Sequence, residues 1–350
     1  MYVSFRSLLA QSFTIPNNMS IIDALTSQQR RRLKRLKRYN VPSVMRVIVA
    51  LCFAAGLTSS GTCYDFTEFF AGAKAVSNGL KARGYCGVTY EKLDDPVRQD
   101  ILTDHGLLNA IILVLSCHPG GLVWWGIVCS SWIWMSRGTT LRHMWDPHGD
   151  TSKTCVANGN TMLARVVLLV MVAHALGVGN ILEQPSSTLM RYHHRFELLA
   201  NWMDVLMTKL TLGYWGAGSK KDLLLFSDQT WLGHIASDPP RAWYPKSEGI
   251  TTVTMLADGR KHVTGDAGLK ATEAYPPLFG AAVAKAYHYY HCVPGDMDTD
   301  DDHLCLEDIF DDNTNDEWAD AKLHGLQLLL MRLVSDRLGN IGGGEWDNGT

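Results

Sequence analysis

The sequence predicts an α/β protein with a doubly wound, mostly parallel sheet and a small loop-rich insert. Two observations carry this expectation. From about residue 65 to 290, short apolar runs of strand length alternate with stretches of helix length, the pattern of consecutive βαβ units. Runs such as Leu122–Val128 are also apolar at successive positions, which suits strands covered by helices on both faces. The 350-residue chain is 46% hydrophobic and 19% charged, which allows a large core and excludes a disordered chain.

Residues 1–64 form an N-terminal extension with a basic run, Arg30–Arg38, and an apolar one, Val47–Leu57. The basic run suits nuclear import, phosphate attraction or a solvated helix face. The apolar run reads as a signal peptide only if translation starts at Met45. The core spans 65–227. Asp65–Leu80 reads as strand, tight turn and helix, with Gly72 letting the chain turn sharply. Val88–Glu91 reads as a second strand ending in an acid placed to accept from ribose hydroxyls. Gly106–Leu115 is helical, and Pro119-Gly120-Gly121 stops it before the strand Leu122–Val128. Residues 139–160 read as a loop and Thr161–Leu176 as a helix, followed by the short strand Asn180–Leu182 and Glu183-Gln184-Pro185. Residues 191–210 read as helical, and Thr211–Ser227 as a glycine-rich turn, a basic pair and a strand. Residues 228–270 are the insert, with Arg241, Trp243 and Lys246. Residues 271–292 carry the closing helix, and 293–350 an acidic tail with an amphipathic helix at Trp318–Leu338. The acidic stretch is expected to be disordered.

Eight cysteines without a CxxC pair argue against a zinc ribbon or redox dithiol and suit reduced thiols in an intracellular protein. The apolar stretches Leu107–Leu115 and Leu163–Leu176 are too short or too interrupted for membrane spans. His288 and His291 stand at helical spacing beside Cys292, but no further metal ligands accompany them.

The chemistry is expected in Gly126–Gly138, GIVCSSWIWMSRG. Cys129 follows an apolar strand, and ligands in open α/β sheets bind just past the carboxyl ends of strands. A lone cysteine is also commonly a small buried hydrophobe. The case for Cys129 therefore rests on its neighbours in the chain.

Together these pieces resemble the C5-cytosine methyltransferases, which are S-adenosylmethionine-dependent and have a Rossmann-like fold. The resemblance spans roughly residues 65–290. Phe70-Ala71-Gly72 with Gly79-Leu80 resembles the family's cofactor loop, Glu91 its ribose-binding acid and Asp100-Ile101 its adenine-side motif. Cys129 falls where the family keeps its nucleophilic Pro-Cys-Gln, with Ser130 beside it on the substrate side. Glu183-Gln184-Pro185 falls at its Glu-Asn-Val, Lys220-Lys221 at its basic substrate-binding motif, and Phe279-Gly280-Ala281-Ala282-Val283 at its closing helix beside the cofactor. The resemblance implies methylation of cytosine C5 in DNA or RNA, DNA before RNA, with Cys129 as nucleophile, Glu183 as acid and S-adenosylmethionine as donor. The cysteine usage and the basic run Arg30–Arg38 point to an intracellular, nuclear location, and the apolar stretches to no membrane.

The motifs also depart from the family. Lys74 replaces a glycine in the loop, which invites a salt bridge to the methionine carboxylate. Val128 and Ser130 flank the cysteine, Gln-Pro follows Glu183, and Asp222 stands where an arginine fork is expected. These changes favour an alternative: a catalytically degenerate methyltransferase-like module that binds nucleic acid or a protein. A third reading keeps the fold with a different methyl acceptor.

Overall fold

The computed structural model describes residues 21–58, 63–237, 239–240, 251–255, 257, 259, 261–265, 272–290 and 316–342. They divide into two compact units, one within Met1–Gly61 and Asp298–Thr350, the other within Thr62–Met297.

The first unit contains helices α1 (Ser27–Arg38) and α2 (Ser43–Ala54). A capping box starts α1: the Thr26 side chain accepts from Gln29 N, and the Gln29 side chain accepts from Thr26 N. The basic run lies on this helix, whose Leu33 and Leu36 are buried. Near the other end of the chain, a short helical turn spans Asp316–Ala321, and Lys322 in the left-handed region (φ 52°) separates it from the next helix, His324–Gly342. The single helix expected at Trp318–Leu338 is thus two elements. The acidic stretch up to residue 315 lies outside the described residues, as do Arg241, Trp243, Lys246, His291 and Cys292.

The second unit is the α/β body. Its six strands are β1 (Tyr64–Phe69), β2 (Gly87–Tyr90), β3 (Cys117–Trp125), β4 (Gly179–Pro185), β5 (Leu206–Thr211) and β6 (Asp222–Ser227). They form one sheet in the order β2-β1-β3-β4-β6-β5. The first four are parallel, while β6 runs antiparallel to both neighbours. The chain leaves β1 for β2 on one side and returns to β3 on the other, so the strand order reverses between β1 and β3. A crevice past the carboxyl ends at such a reversal is the usual ligand position in open α/β sheets.

Side-chain alternation assigns the faces. Phe66, Leu122, Trp124 and Ile181 pack with α3 (Ala75–Lys81) and the closing helix (Pro277–Tyr290) in one core. The other face meets α4 (Asp104–Leu115), the long helix Thr154–Ala175 and the helix His194–Trp202. Thr154–Ala175 is long and apolar enough to cross a membrane, and 72% of its most apolar window is buried inside the protein.

Three local expectations are corrected. The loop read at 139–160 contains a helical turn, Arg137–Thr140, and the first turns of the long helix. The helix read at 191–210 ends at Trp202, and Leu206–Thr211 is an edge strand paired with β6. Pairing with a formed strand outweighs the local helical pattern there. The insert begins with a short helix, Leu232–Ser237, whose Leu232 and Ile235 belong to the main core. It continues as a hairpin of Thr251–Met255 with Lys261–Gly265.

Candidate functional site

The turn after β1 is built from strained backbone. Phe70, Gly72 and Lys74 all have positive φ, at 58°, 45° and 57°. A left-handed non-glycine residue costs on the order of 1–3 kcal/mol and persists where surrounding structure enforces it. Here Phe70 N donates to Tyr90 O and Lys74 N to Ala71 O. Glu91 closes the turn from β2: its Oε2 accepts from Gly72 N at 2.9 Å and its Oε1 from Leu93 N at 3.1 Å. A Cβ placed on Gly72 would meet nothing within 4 Å, so the space beside that backbone is open. The Lys74 ammonium pairs with Asp94 at 2.7 Å instead of standing ready for a ligand carboxylate.

Past β3 the chain continues irregularly through Gly126–Cys129 and then turns, with Cys129 O accepting from Trp132 N and Ile133 N. Cys129 is half-buried and Ser130 exposed. Gln184, fully buried on β4, donates to Ile127 O at 2.6 Å and accepts from the Thr188 hydroxyl. It ties the Cys129 segment to β4, and its neighbour Glu183 points to the opposite face of the sheet.

Glu183 Oε2 accepts from the Tyr275 hydroxyl at 2.6 Å. Tyr275 lies edge-on to Trp124 and sits over Gly126, where a Cβ would come within 3.0 Å of its hydroxyl. Lys221 donates to Thr272 O at 2.8 Å and lies 5.9 Å from the Tyr275 ring centre. Cys129, Glu183, Tyr275 and Lys221 thus converge from four segments.

Their protonation is mutually set. Burial pushes the Cys129 thiol up to about 11; the Glu183 carboxylate adds to the rise, and the Lys221 ammonium opposes it. Burial also raises Glu183, against Lys221 and the Tyr275 hydrogen bond. Burial and Glu183 hold the Tyr275 phenol well above its ordinary value, so it remains a donor.

Sequence reasoning missed two residues. Glu68, one strand over on β1, is fully buried, and its Oε2 accepts from Ser77 N at 2.7 Å. Burial raises this carboxyl as well, against the Ser77 hydrogen bonds. The Oε1 atoms of both Glu68 and Glu183 are buried without a hydrogen-bond partner. An acid flanked by Phe66 and Phe69 in the buried half of the strand was the available signal. The other is Tyr275, just before the Pro276-Pro277 start of the closing helix, which no sequence signal marked.

The remaining expected residues are placed as follows. Ala71 is buried in the turn. Asp100 is held by Lys92 at 2.6 Å and by Leu102 N. Lys220 pairs with Asp222 at 3.5 Å, whereas Lys221 reaches the site. Gly280 is a packing residue: its Cβ would lie 1.9 Å from Ala75 O, so it lets the closing helix touch the α3 backbone. Among the described residues no group of three or more His, Cys, Asp or Glu side chains is placed to hold a metal. Comparison with protein-family models, curated proteins and solved structures finds no match to this chain.

Proposed function

We propose that the chain is an S-adenosylmethionine-dependent methyltransferase acting on cytosine C5 of nucleic acid, DNA rather than RNA, through a Cys129 thiolate. One observation carries the reading: Cys129, just beyond the end of β3, lies close enough to Glu183 on the adjacent parallel strand β4 for its thiol to feel both the Glu183 carboxylate and the Lys221 ammonium.

The residues fit the donor. The open space beside Gly72 admits a ligand against the backbone, Glu91 stands at that turn, and the unpartnered Glu68 Oε1 suits a cationic group. Phe70, Ala71, Gly72, Glu91 and Asp100 would hold it, and it supplies an electrophilic methyl group.

The protein's own part follows from the electrostatics. Cys129 sulfur adds to cytosine C6, forming a C–S bond and making C5 carbanion-like. Glu183, protonated, holds N3 of the ring, and its raised pKa suits that state. A neutral Glu183 also stops repelling the thiolate, and Lys221 stabilises it. After methylation a base takes the C5 proton and the C–S bond breaks, which returns the thiolate. The target base leaves its stack to reach this site.

A specific observation favours the second reading, a binding module without catalysis. A thiol of pKa about 11 is thiolate in only about one molecule in 10⁴ at pH 7. Trapping separates the two. An oligonucleotide carrying 5-fluorocytosine, incubated with the cofactor, should form a covalent adduct at Cys129, visible by denaturing gel and mass spectrometry. Cys129→Ser should abolish the adduct and leave calorimetric cofactor affinity unchanged. Cofactor binding without any adduct would establish the binding module instead.

A further inference from the structure

We infer that the segment following Cys129 carries two stacking positions for unpaired nucleotides, Trp134 and Trp145, so that the acceptor is bound as a single strand. The inference rests on the nucleic-acid reading above and names the form of substrate that site takes.

The segment leaves an unusual amount of apolar surface in solvent. Trp134 is 41% exposed, Met135 49%, Met144 47% and Trp145 78%. None of this is loose chain. Trp134 N donates to Ser187 O at 3.1 Å, and Ile133 bridges to Thr188, so Trp134 is fastened to the loop that follows Glu183. Trp145 stands at the tip of a tight turn in which His143 N donates to Asp146 O and Asp146 N to His143 O, at 2.9 and 3.2 Å.

A buried arginine holds that turn from inside. Arg142 is fully buried, with its guanidinium 3.4 Å from the Trp132 ring centre. It donates to Pro147 O, to Asn160 Oδ1 at 2.8 Å and to Val156 O at 3.2 Å. Burying an arginine is costly unless its donors are satisfied; here the two terminal nitrogens bind the turn carbonyls of Pro147 and His148 and acceptors on the long helix, while Nε is left without a partner. The tip it supports, Met144-Trp145, packs on nothing that buries it. The turn is therefore rigid while its apolar tip is left for a partner.

The chemistry of the two rings identifies that partner. Each already carries a cationic or basic group on one face. The Arg137 guanidinium lies 3.9 Å from the Trp134 ring centre. The His143 ring is stacked on Trp145, 4.9 Å away and 4° from parallel. An aromatic face beside a cation, as at Trp134 and Arg137, is the pattern that binds single strands, with a base on the ring and a phosphate at the cation, and Trp145 offers the second ring. Two carboxylates share the turn, Asp146 accepting from Gly149 N and Asp150 from Ser152 N, and the Ser152 hydrogen bonds hold Asp150 below the usual carboxylate range, so the phosphates are placed on the Arg137 side. A duplex hides its base faces within the stack and has none to offer these rings. A bilayer interior or an apolar protein surface would require dehydrating Arg137 and His143.

The test is fluorescence anisotropy of a labelled single-stranded oligonucleotide and of the same sequence as a duplex, titrated with the full-length protein. The single strand should bind at least about ten-fold tighter. Trp134→Ala and Trp145→Ala should each weaken it by about five- to hundred-fold, the range for one lost base stack. Trp→Phe at either position should restore most of the loss, which a merely unfolded alanine variant does not explain. Arg137→Gln should flatten the salt dependence, while the tryptophan variants leave its slope unchanged. Equal affinity for duplex and single strand would overturn the inference, as would normal binding by Trp145→Ala and its Phe counterpart. Tryptophan-dependent binding to phosphatidylserine–phosphatidylcholine vesicles, or tryptophan-dependent self-association in sedimentation, without oligonucleotide binding would also overturn it. Single-strand binding through the tryptophans with no 5-fluorocytosine adduct would leave this inference standing and remove methyl transfer. An adduct that forms equally on duplex and is indifferent to Trp145 would do the reverse.

Discussion

At Cys129 the proton is held on sulfur first by burial and then by the Glu183 carboxylate, with the Lys221 ammonium pulling the other way. These influences can be moved separately. Peptide-resolved iodoacetamide labelling across pH should give a Cys129 midpoint near about 11, well above an ordinary thiol. Glu183→Gln removes a negative neighbour and should lower the midpoint; Lys221→Gln removes a positive one and should raise it. Identical midpoints in all three proteins would break the proposed coupling. Cys129 and Glu183 were legible in the sequence because each closes a short apolar run. Tyr275 was not, because nothing local to Tyr275-Pro276-Pro277 reveals that its hydroxyl meets a carboxylate on β4. Lys220 and Lys221 were read as a pair, yet neighbouring side chains diverge. One pairs with Asp222 and the other faces the thiol.

The elements that frame the crevice depend on close backbone contact. A Cβ on Gly79 would lie 2.3 Å from Gly280 O, and one on Gly280 1.9 Å from Ala75 O. The closing helix and α3 therefore touch through two glycines. This contact helps to set Tyr275, just ahead of the closing helix, against Trp124 and Glu183. Gly280→Ala should destabilise the protein by about 1–3 kcal/mol, the usual cost of overpacking, seen as a lower Tm. Because the helix carries Tyr275, the variant should also shift the Cys129 labelling midpoint. A variant with unchanged Tm would show that the helices can part without cost. The resemblance placed Gly280 beside the cofactor; only the helix pairing shows which surface it serves. The edge strand Leu206–Thr211 was misread for a related reason, since its identity comes from hydrogen bonding to β6 rather than from its own residues.

Across the whole body, two carboxyl groups are buried at the ligand edge of one sheet face, Glu68 on β1 and Glu183 on β4. Burial raises both pKa values. A carboxyl whose folded pKa exceeds its unfolded value contributes stability below the unfolded pKa and loses it as pH rises through the folded pKa. Both groups should therefore weaken the fold at neutral and alkaline pH. Glu183→Gln and Glu68→Gln, which keep an acceptor for Tyr275 and Ser77, should each stabilise the protein by about 1 kcal/mol at pH 8, with the gain shrinking toward pH 4. Thermal melts at the two pH values check this, and a gain independent of pH would contradict it.

The order of apolar runs already determined the alternation of strands and helices and the turn at Gly72. It also marked Cys129 and Glu183 as closing apolar runs, because these depend on spacing and side-chain type along the chain, although β3 runs Cys117–Trp125 instead of Leu122–Val128 and Glu183 lies within β4. Strand order, the reversal between β1 and β3, the antiparallel course of β6 and the meeting of Tyr275, Lys221 and Glu68 with the site came only from three-dimensional packing. Those features rest on pairings between residues far apart in the chain, and no local pattern encodes which distant partner will desolvate or neutralise a given group.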